Sequence, residues 1–293
     1  MYRGIDVSDH QGVIQWDKVK MTGVQFAILR SVRGSGKTDY QFSNNAFGCR
    51  DAGIPFDIYK YSYADTMAKA RKEAEEVVKL LKQQEIVCTV WWDVEDDSLR
   101  ELGRDMLTTL IHVAQTVIEA AQLPFGIYCN QDWYRNVLEA EEFDCPFWIA
   151  RYPSDKHLTL IEVPEGNYRP KVAHELFGWQ YSSKGRVLGI KGNVDLNLIY
   201  AEIEKTNSAT STMRQEQSQP LGSRTKYPEP TYTLYRGRLR QSSLYVRWLQ
   251  QALGIKEDGI FGKNTERELR KYQFNHKLRV DGKCGQKTVA SLK

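Results

Sequence analysis

In the stretch Thr89-Val90-Trp91-Trp92-Asp93-Val94-Glu95-Asp96-Asp97 an apolar run breaks into four acids. Read as a strand, it turns Trp91, Asp93 and Glu95 to one face and Val90, Trp92 and Val94 to the other. The Cα atoms of Asp93 and Glu95 then sit roughly 6.6 Å apart, a separation at which two carboxyl groups can flank one scissile bond. Two further acids lie in short apolar segments, Asp6 in Tyr2 to Val7 and Asp195 in Asn193 to Leu196. Crowded carboxyl groups raise one another's pKa, so one can stay protonated near neutral pH and serve as an acid. Such a pairing suits glycoside hydrolysis, where one carboxyl protonates the leaving oxygen and a second meets the cationic transition state. Taken singly, each Asp also has a plain structural use. Asp6 could cap the following turn, and Asp195 could bond the loop around Gly192.

The elements that would position these acids alternate between strand and helix over the first two hundred residues, as in repeated βα units. Strands are expected at Tyr2 to Val7, Val24 to Arg30, Phe56 to Tyr63, Ile86 to Val94, Phe125 to Cys129, Phe147 to Tyr152, Leu176 to Tyr181 and Asn193 to Leu196. Helices are expected at Phe42 to Ala52 and from an Asp65 cap to about Gln84, the second with Ala68, Val77, Val78, Leu80 and Leu81 as its apolar stripe. A third runs through Leu107, Leu110, Ile111, Ala114, Val117 and Ile118, and a fourth lies near Trp133 to Leu138. Pro153, Pro164 and Pro170 make the stretch from 153 to 175 irregular. Eight strands suggest an α/β closed barrel, incomplete where the last strands lack intervening helices. Each acid is expected at the carboxyl end of its strand, where chemistry sits in such folds. The first and eighth strands become neighbours, with the fourth across from them.

Composition splits the chain in two. Residues 1–205 carry 24 Lys and Arg against 30 Asp and Glu, whereas the other 88 residues carry 17 against 7. A basic C-terminal region beside an acidic one implies a polyanionic partner, either nucleic acid or an anionic wall polymer. Residues 206–242 read as a linker, rich in Ser, Thr and Gln at first and intermediate from Tyr227. Residues 243–293 return to helical periodicity and contain a near-repeat, Asp258-Gly259-Ile260-Phe261-Gly262 with Thr265 against Asp281-Gly282-Lys283-Cys284-Gly285 with Thr288. Its plain meaning is two similar turns in a small helical bundle.

Five scattered cysteines give no disulfide framework, and no CxxC or His-rich spacing suggests a metal. Neither metal nor cofactor is expected. No apolar run approaches the ~20 residues of a membrane span, so membrane insertion is not expected. The opening residues Met1 to Asp6 have neither a basic n-region nor an apolar h-region. If the protein acts outside a cytoplasm, something other than an amino-terminal leader is expected to release it.

Several of these stretches carry a resemblance. Gly4-Ile5-Asp6-Val7-Ser8 with Gln11-Gly12 and Trp16, then Asp93-Val94-Glu95, Phe147-Trp148-Ile149-Ala150-Arg151-Tyr152, Trp179-Gln180-Tyr181 and Asn193-Val194-Asp195-Leu196-Asn197 occur in one order over residues 1 to about 200. Together they resemble the motifs of glycoside hydrolase family 25 lysozymes. The resemblance implies an irregular, flattened (β/α)8-like barrel that acts as an N-acetylmuramidase on bacterial peptidoglycan. By position, Glu95 corresponds to the general acid and Asp93 to the carboxylate that stabilises the cationic centre or orients the N-acetyl group. Asp6 and Asp195 are then the flanking acids, and Tyr59, Tyr61, Tyr128, Trp148 and Trp179 the aromatic walls of the cleft, with Tyr59, Tyr128 and Trp179 foremost.

One departure is Lys60, where the pattern calls for His or an aromatic. Residues 243–293 resemble the peptidoglycan-binding type 1 domain, a three-helix unit, through Val246-Arg247-Trp248-Leu249-Gln250, both DG turns, Thr265, Tyr272-Gln273 and Thr288. The two resemblances together imply a phage endolysin, made in a host cytoplasm and acting on the wall after holin-type release, or an extracellular enzyme, with a bacterial autolysin or a non-catalytic wall-binding protein on a barrel scaffold as the alternatives. The absence of a recognisable nucleic-acid motif weighs against a nucleic-acid partner.

Overall fold

Short apolar runs that are buried on both faces pair most readily as parallel strands under a helical layer, and seven of the eight strands do so. In a computed structural model, residues 1–201, 227–236 and 242–292 are described. The chain divides into two compact units, Met1–Ser211 and Thr212–Lys293. The first is a closed barrel with strand order β1 to β8. Its elements are β1 (Tyr2–Val7), α1 (Trp16–Met21), β2 (Phe26–Arg30), α2 (Phe42–Asp51), β3 (Phe56–Tyr61), α3 (Met67–Gln83), β4 (Val90–Asp93), α4 (Arg104–Ala120), β5 (Phe125–Asn130), β6 (Phe147–Ala150), β7 (Leu176–Gly185) and β8 (Val194–Ile199).

From β1 to β7 every neighbouring pair is parallel, whereas β8 is antiparallel to both β7 and β1. The reason is the connection. Only residues 186–193 join β7 to β8, too few for the crossover that a parallel pair requires. This corrects one expectation. Asp195 lies near the start of β8, not its carboxyl end, and because the strand is reversed that start lies on the rim where β1 ends.

The helical layer is also incomplete. Between β5 and β6 stand only the π-type turn Trp133–Val137 and the 3-10 turn Ala140–Glu142, and between β6 and β7 the 3-10 turn Gly166–Tyr168. Where helices exist they cover the outward strand residues. Val90, Trp92, Ile127 and Ile149 pack in one layer with Val77, Leu81, Leu107 and Ala114 of α3 and α4. The cap of α3 is Thr66, whose hydroxyl accepts from Lys69 N at 3.3 Å. Asp65, one residue too early for that role, pairs with the Lys69 ammonium at 2.7 Å. Ala70 and Ala74, not Ala68, complete the buried stripe.

The opposite strand faces fill the barrel. Phe26, Ile28, Trp91, Tyr128, Trp148 and Phe177 form a single buried cluster, with the Trp91 and Phe177 rings 4.2 Å apart. Gly126 of β5 makes room for this. A Cβ there would lie 2.3 Å from the Trp91 ring.

In the second unit α5 (Ser243–Ala252), α6 (Lys263–Asn275) and α7 (Gln286–Ser291) pack as a small helical group. The near-repeat becomes a repeated hydrogen-bond device. Gln250 accepts from Gly259 N at 2.8 Å and donates to Asp258 at 2.6 Å and to the Thr265 hydroxyl at 3.1 Å. Gln273 accepts from Gly282 N at 2.9 Å and donates to Asp281 at 3.1 Å and to the Thr288 hydroxyl at 3.5 Å. Each buried amide thus ties a DG turn to the start of the next helix.

Of the expected linker, residues 206–226 and 237–241 lie outside the described residues. Residues 227–236 are described, and Leu234, fully buried, exchanges backbone hydrogen bonds of 3.0 and 2.8 Å with Cys284. All five cysteines are unpaired thiols. Among the described residues no helix is long and apolar enough to cross a membrane.

Gly126→Ala should destabilise the barrel by about 1–3 kcal/mol, because the Trp91 indole is fully enclosed and must move. Chemical denaturation of the variant against the parent measures this, and the Trp91 environment should change in near-ultraviolet circular dichroism.

Candidate active site

Sheet register delivers the acids to one rim. Asp6 is paired in register with Asp195 across the β1–β8 boundary. Asp93 ends β4 between Tyr61 of β3 and Tyr128 of β5, and Glu95 follows two residues later. All four expected acids therefore come together, and they influence one another's ionisation.

Their environments differ in a way that sorts them. Asp6 is buried, but its Oδ2 accepts from Asn197 Nδ2 at 2.7 Å and from Gln180 Nε2 at 2.9 Å. Burial lifts its pKa to about 6, and the amide donors with a hydrogen bond from Asp195 hold it from rising further. Asp195 has the opposite fortune. Burial first, then the charge of Asp6 and the hydrogen bond given to it, push its pKa to about 9. At neutral pH Asp195 is a carboxylic acid that donates to an Asp6 carboxylate.

Asp93 is buried with its Oδ1 lacking any hydrogen-bond partner. Burial, then Glu95 and Asp6, drive its pKa well above the usual carboxylate range, while Lys60 opposes the shift. Glu95 is only partly buried. Desolvation, with Asp6 and Asp97 adding, raises it to about 7. Asp96 caps the 3-10 turn Asp97–Leu102 by accepting from Ser98 N at 3.1 Å, as a loop residue should.

Beneath the acids lies an aromatic floor. Trp148 Nε1 donates to Asn197 Oδ1 at 2.8 Å and the Tyr128 hydroxyl to Gln180 Oε1 at 2.9 Å. These bonds turn each amide so that its NH2 group faces Asp6. The Tyr128 and Trp148 rings are 4.2 Å apart, and Tyr59 meets Trp148 edge-on at 6.4 Å. Burial and then the charge of Asp6 raise the Tyr59 hydroxyl well above its ordinary value. Tyr61, half-buried, donates to Asp96 Oδ2 at 3.2 Å.

Trp179 does not join them. Its neighbour Gln180 faces the acids, so strand alternation turns Trp179 outward. There it is 1% exposed, packed in the helix-side layer, with its indole N–H donating to Arg151 O at 2.7 Å. Lys60 likewise points to the helix side, where it pairs with Glu73 of α3 at 3.2 Å. The unusual lysine therefore leaves the floor of the cleft untouched.

Gln180 and Asn197 escaped the sequence reading as site residues, although both lie inside motifs it quoted. The signal was present: amides at inward positions of otherwise apolar strands need partners, and Asn197 has the same strand parity as Asp195. Tyr152, which also hydrogen-bonds Gln180, is a third such residue. So is Arg30, held at the end of β2 by Asp39 at 2.7 Å and by Asp9. Among the described residues no group of three His, Cys, Asp or Glu side chains is placed to hold a metal ion.

The model of glycosyl hydrolases family 25 matches residues 5–190, and that of a peptidoglycan binding domain matches residues 242–292. The chain is similar to the autolytic lysozyme of Clostridium acetobutylicum, 25% identical over 67% of this chain and 55% of that protein. It is also similar to lysozyme M1 of Streptomyces globisporus, 26% identical over 67% of this chain and 66% of that one. The chain thus spans less than two thirds of the length of these relatives. Among solved structures, the catalytic domain of endolysin ply40 from bacteriophage P40 of Listeria monocytogenes shares the fold. Its TM-score is 0.57 at 24% identity, covering 69% of this chain and 94% of that domain.

The raised pKa of Asp195 has a consequence for stability. A carboxyl whose folded pKa lies above its unfolded value stabilises the fold below the unfolded pKa, here 3.8, and that contribution is lost as pH rises toward about 9. Asp195→Asn removes this loss while its amide can still donate to Asp6. The thermal midpoint of the variant minus that of the parent should therefore grow more positive from pH 5 to pH 9, and a constant difference would contradict the assignment.

Proposed function

The chain belongs to glycosyl hydrolases family 25, and we propose on that premise that it is a lysozyme-type peptidoglycan hydrolase. The bond cut is the β-1,4 linkage from N-acetylmuramic acid to N-acetylglucosamine. One observation carries this reading: a partly exposed Glu95 with a pKa of about 7 beside a buried Asp93 whose Oδ1 is unpartnered. With its pKa raised to about 7, Glu95 can still hold a proton near neutral pH. Such a group is matched to protonating a glycosidic oxygen, since a catalytic acid works best with its pKa near the working pH.

Asp93 supplies the second function. Its Oδ1 is buried and unpartnered, so it would act from beneath the substrate through its charge: a developing positive charge above it would lower its pKa and favour the carboxylate form. Asp6 keeps a negative charge at the back of the site, and Asp195 holds Asp6 in place by donating to it. Tyr59, Tyr61, Tyr128 and Trp148 line the neighbourhood of these acids, with Tyr128 and Trp148 acting as support and Tyr59 and Tyr61 able to meet sugar.

The second unit fits a role in holding the wall. Its match to a peptidoglycan binding domain supports peptidoglycan as the partner, and its positive balance suits anionic wall polymers. Tethered to a wall, the barrel meets substrate at raised effective concentration. The proposed organisation is a catalytic barrel in residues 1–205, a connection in 206–242 whose residues 227–236 pack with the second unit, and a wall-binding domain in 243–293.

Glu95→Gln should lower lysis of purified walls by about 10²–10⁴-fold while the variant still sediments with them. Activity of the parent should fall as pH rises through about 7, following deprotonation of Glu95. Digested walls should show new reducing ends on N-acetylmuramic acid. Reducing N-acetylglucosamine in its place would assign a different bond, and undiminished lysis by the variant would remove Glu95 from the chemistry.

A further inference from the structure

Beyond the acids, the turn joining β3 to α3 is built with more material than a turn requires. Tyr63 in this turn is 48% exposed, yet its position is fixed from several sides. Its ring lies 4.8 Å from that of Tyr61 at 38°. Its N–H donates to Glu73 Oε1 at 3.2 Å, and the adjacent Ser62 hydroxyl donates to Glu73 Oε2 at 2.9 Å. Glu73 in turn pairs with Lys60, which is fully buried, donates to the backbone oxygen of Tyr61 and sits 5.7 Å from the Tyr63 ring centroid. Gly34, in the loop closed by the Val32–Thr38 bridge, comes so close that a Cβ would lie 2.7 Å from Tyr63 Cε2.

A fully buried lysine is costly to desolvate even with a partly exposed glutamate as its partner, so such a lysine placed under an exposed tyrosine calls for an explanation in what that tyrosine does. The turn also runs straight into the acid cluster. Ser62 N donates to Asp93 O at 2.9 Å, and the Tyr61 hydroxyl reaches Asp96. A rigid, half-exposed aromatic face beside carboxyl groups matches a pyranose ring, whose axial C–H face is apolar and whose rim hydroxyls need acceptors.

We propose that Tyr63, held in tilted contact with Tyr61 and seated by the Lys60–Glu73 pair, is a saccharide-stacking subsite on the β3 side of the acid cluster. It takes a sugar of the glycan strand beyond the two that flank the cleaved bond. The proposal rests on the glycoside hydrolase reading above and identifies where the longer glycan lies. Lys60 and Glu73 are positioning residues for this surface. The departure at Lys60 thereby acquires a purpose, because a buried ammonium can hold both the Tyr61 carbonyl and Glu73.

Two measurements on the full chain test it. In the Glu95→Gln background, which prevents turnover, calorimetric binding of soluble glycan with one, two and four GlcNAc–MurNAc repeats is compared with and without Tyr63→Ala. Loss of Tyr63 should weaken binding of the longest glycan by about tenfold, equivalent to ~1.4 kcal/mol, and leave the single repeat unchanged. In the active chain, Tyr63→Ala should raise KM on long glycan with kcat within about twofold, Tyr63→Trp should restore KM, and Gly34→Ala should raise it by displacing the ring. Equal binding of all glycans by both chains, with cleavage intact, would overturn the subsite alone. Failure of the parent to bind or cut any glycan would overturn the hydrolase reading and the subsite with it.

Discussion

Four carboxyl groups crowded at one rim, two of them buried and two partly so, cannot all be charged, and the order in which they give up protons governs the site. Donors decide that order. Asp6 has two amide N–H groups and the Asp195 hydroxyl aimed at it, so it carries charge at the lowest pH of the four. Asp195 and Asp93 lack comparable donors and are pushed toward the acid form. Glu95, nearer to water, falls between them. Each amide is itself held by an aromatic group below, Gln180 by Tyr128 and Asn197 by Trp148. The aromatic floor therefore acts on the ionisation of the acids through the amides, by fixing which end of each faces Asp6.

This arrangement requires the last strand to run backwards. Were β8 parallel to its neighbours, Asp195 at its second position would stand on the opposite rim. The short β7–β8 connection reverses the strand and sets Asp195 in register with Asp6. Asn197, two residues on along the same face, then lies below Asp195 with its NH2 group on Asp6. One reversed strand thus supplies both the proton donor and an amide donor to the central anion.

The barrel was legible in the sequence because strand periodicity and βα alternation are local. Tyr2 to Val7 matches its strand to the residue, and Trp91 faces the barrel interior while Val90 and Trp92 face the helices, as alternation requires; Glu95 lies beyond the end of β4. The acids were legible because isolated carboxylates in apolar strands have few uses. Strand direction was not, since it depends on what connects β7 to β8 and not on the strand itself. Trp179 shows a related limit: alternation offers two faces, and only a partner for Gln180 decides between them. The Lys60 side chain was hidden for a third reason, because its partner Glu73 comes from a helix whose packing on β3 is a tertiary fact.

Burial at this rim comes at the expense of stability. Each carboxyl held above its ordinary pKa is less comfortable ionised in the fold than in water, and at neutral pH that cost must be offset by the enclosed aromatic and aliphatic layers. Under the proposed function, a sugar chain lying over the rim would exclude more water, favour protonated Glu95 further and prepare it to donate. Positive charge growing beside Asp93 and Asp6 as a glycosidic bond lengthens would then be drawn to them more strongly by the same low-dielectric setting that penalises their negative charges. On that reading the penalty built into the resting site is relieved at the transition state, the one point on the reaction path where relief accelerates the reaction.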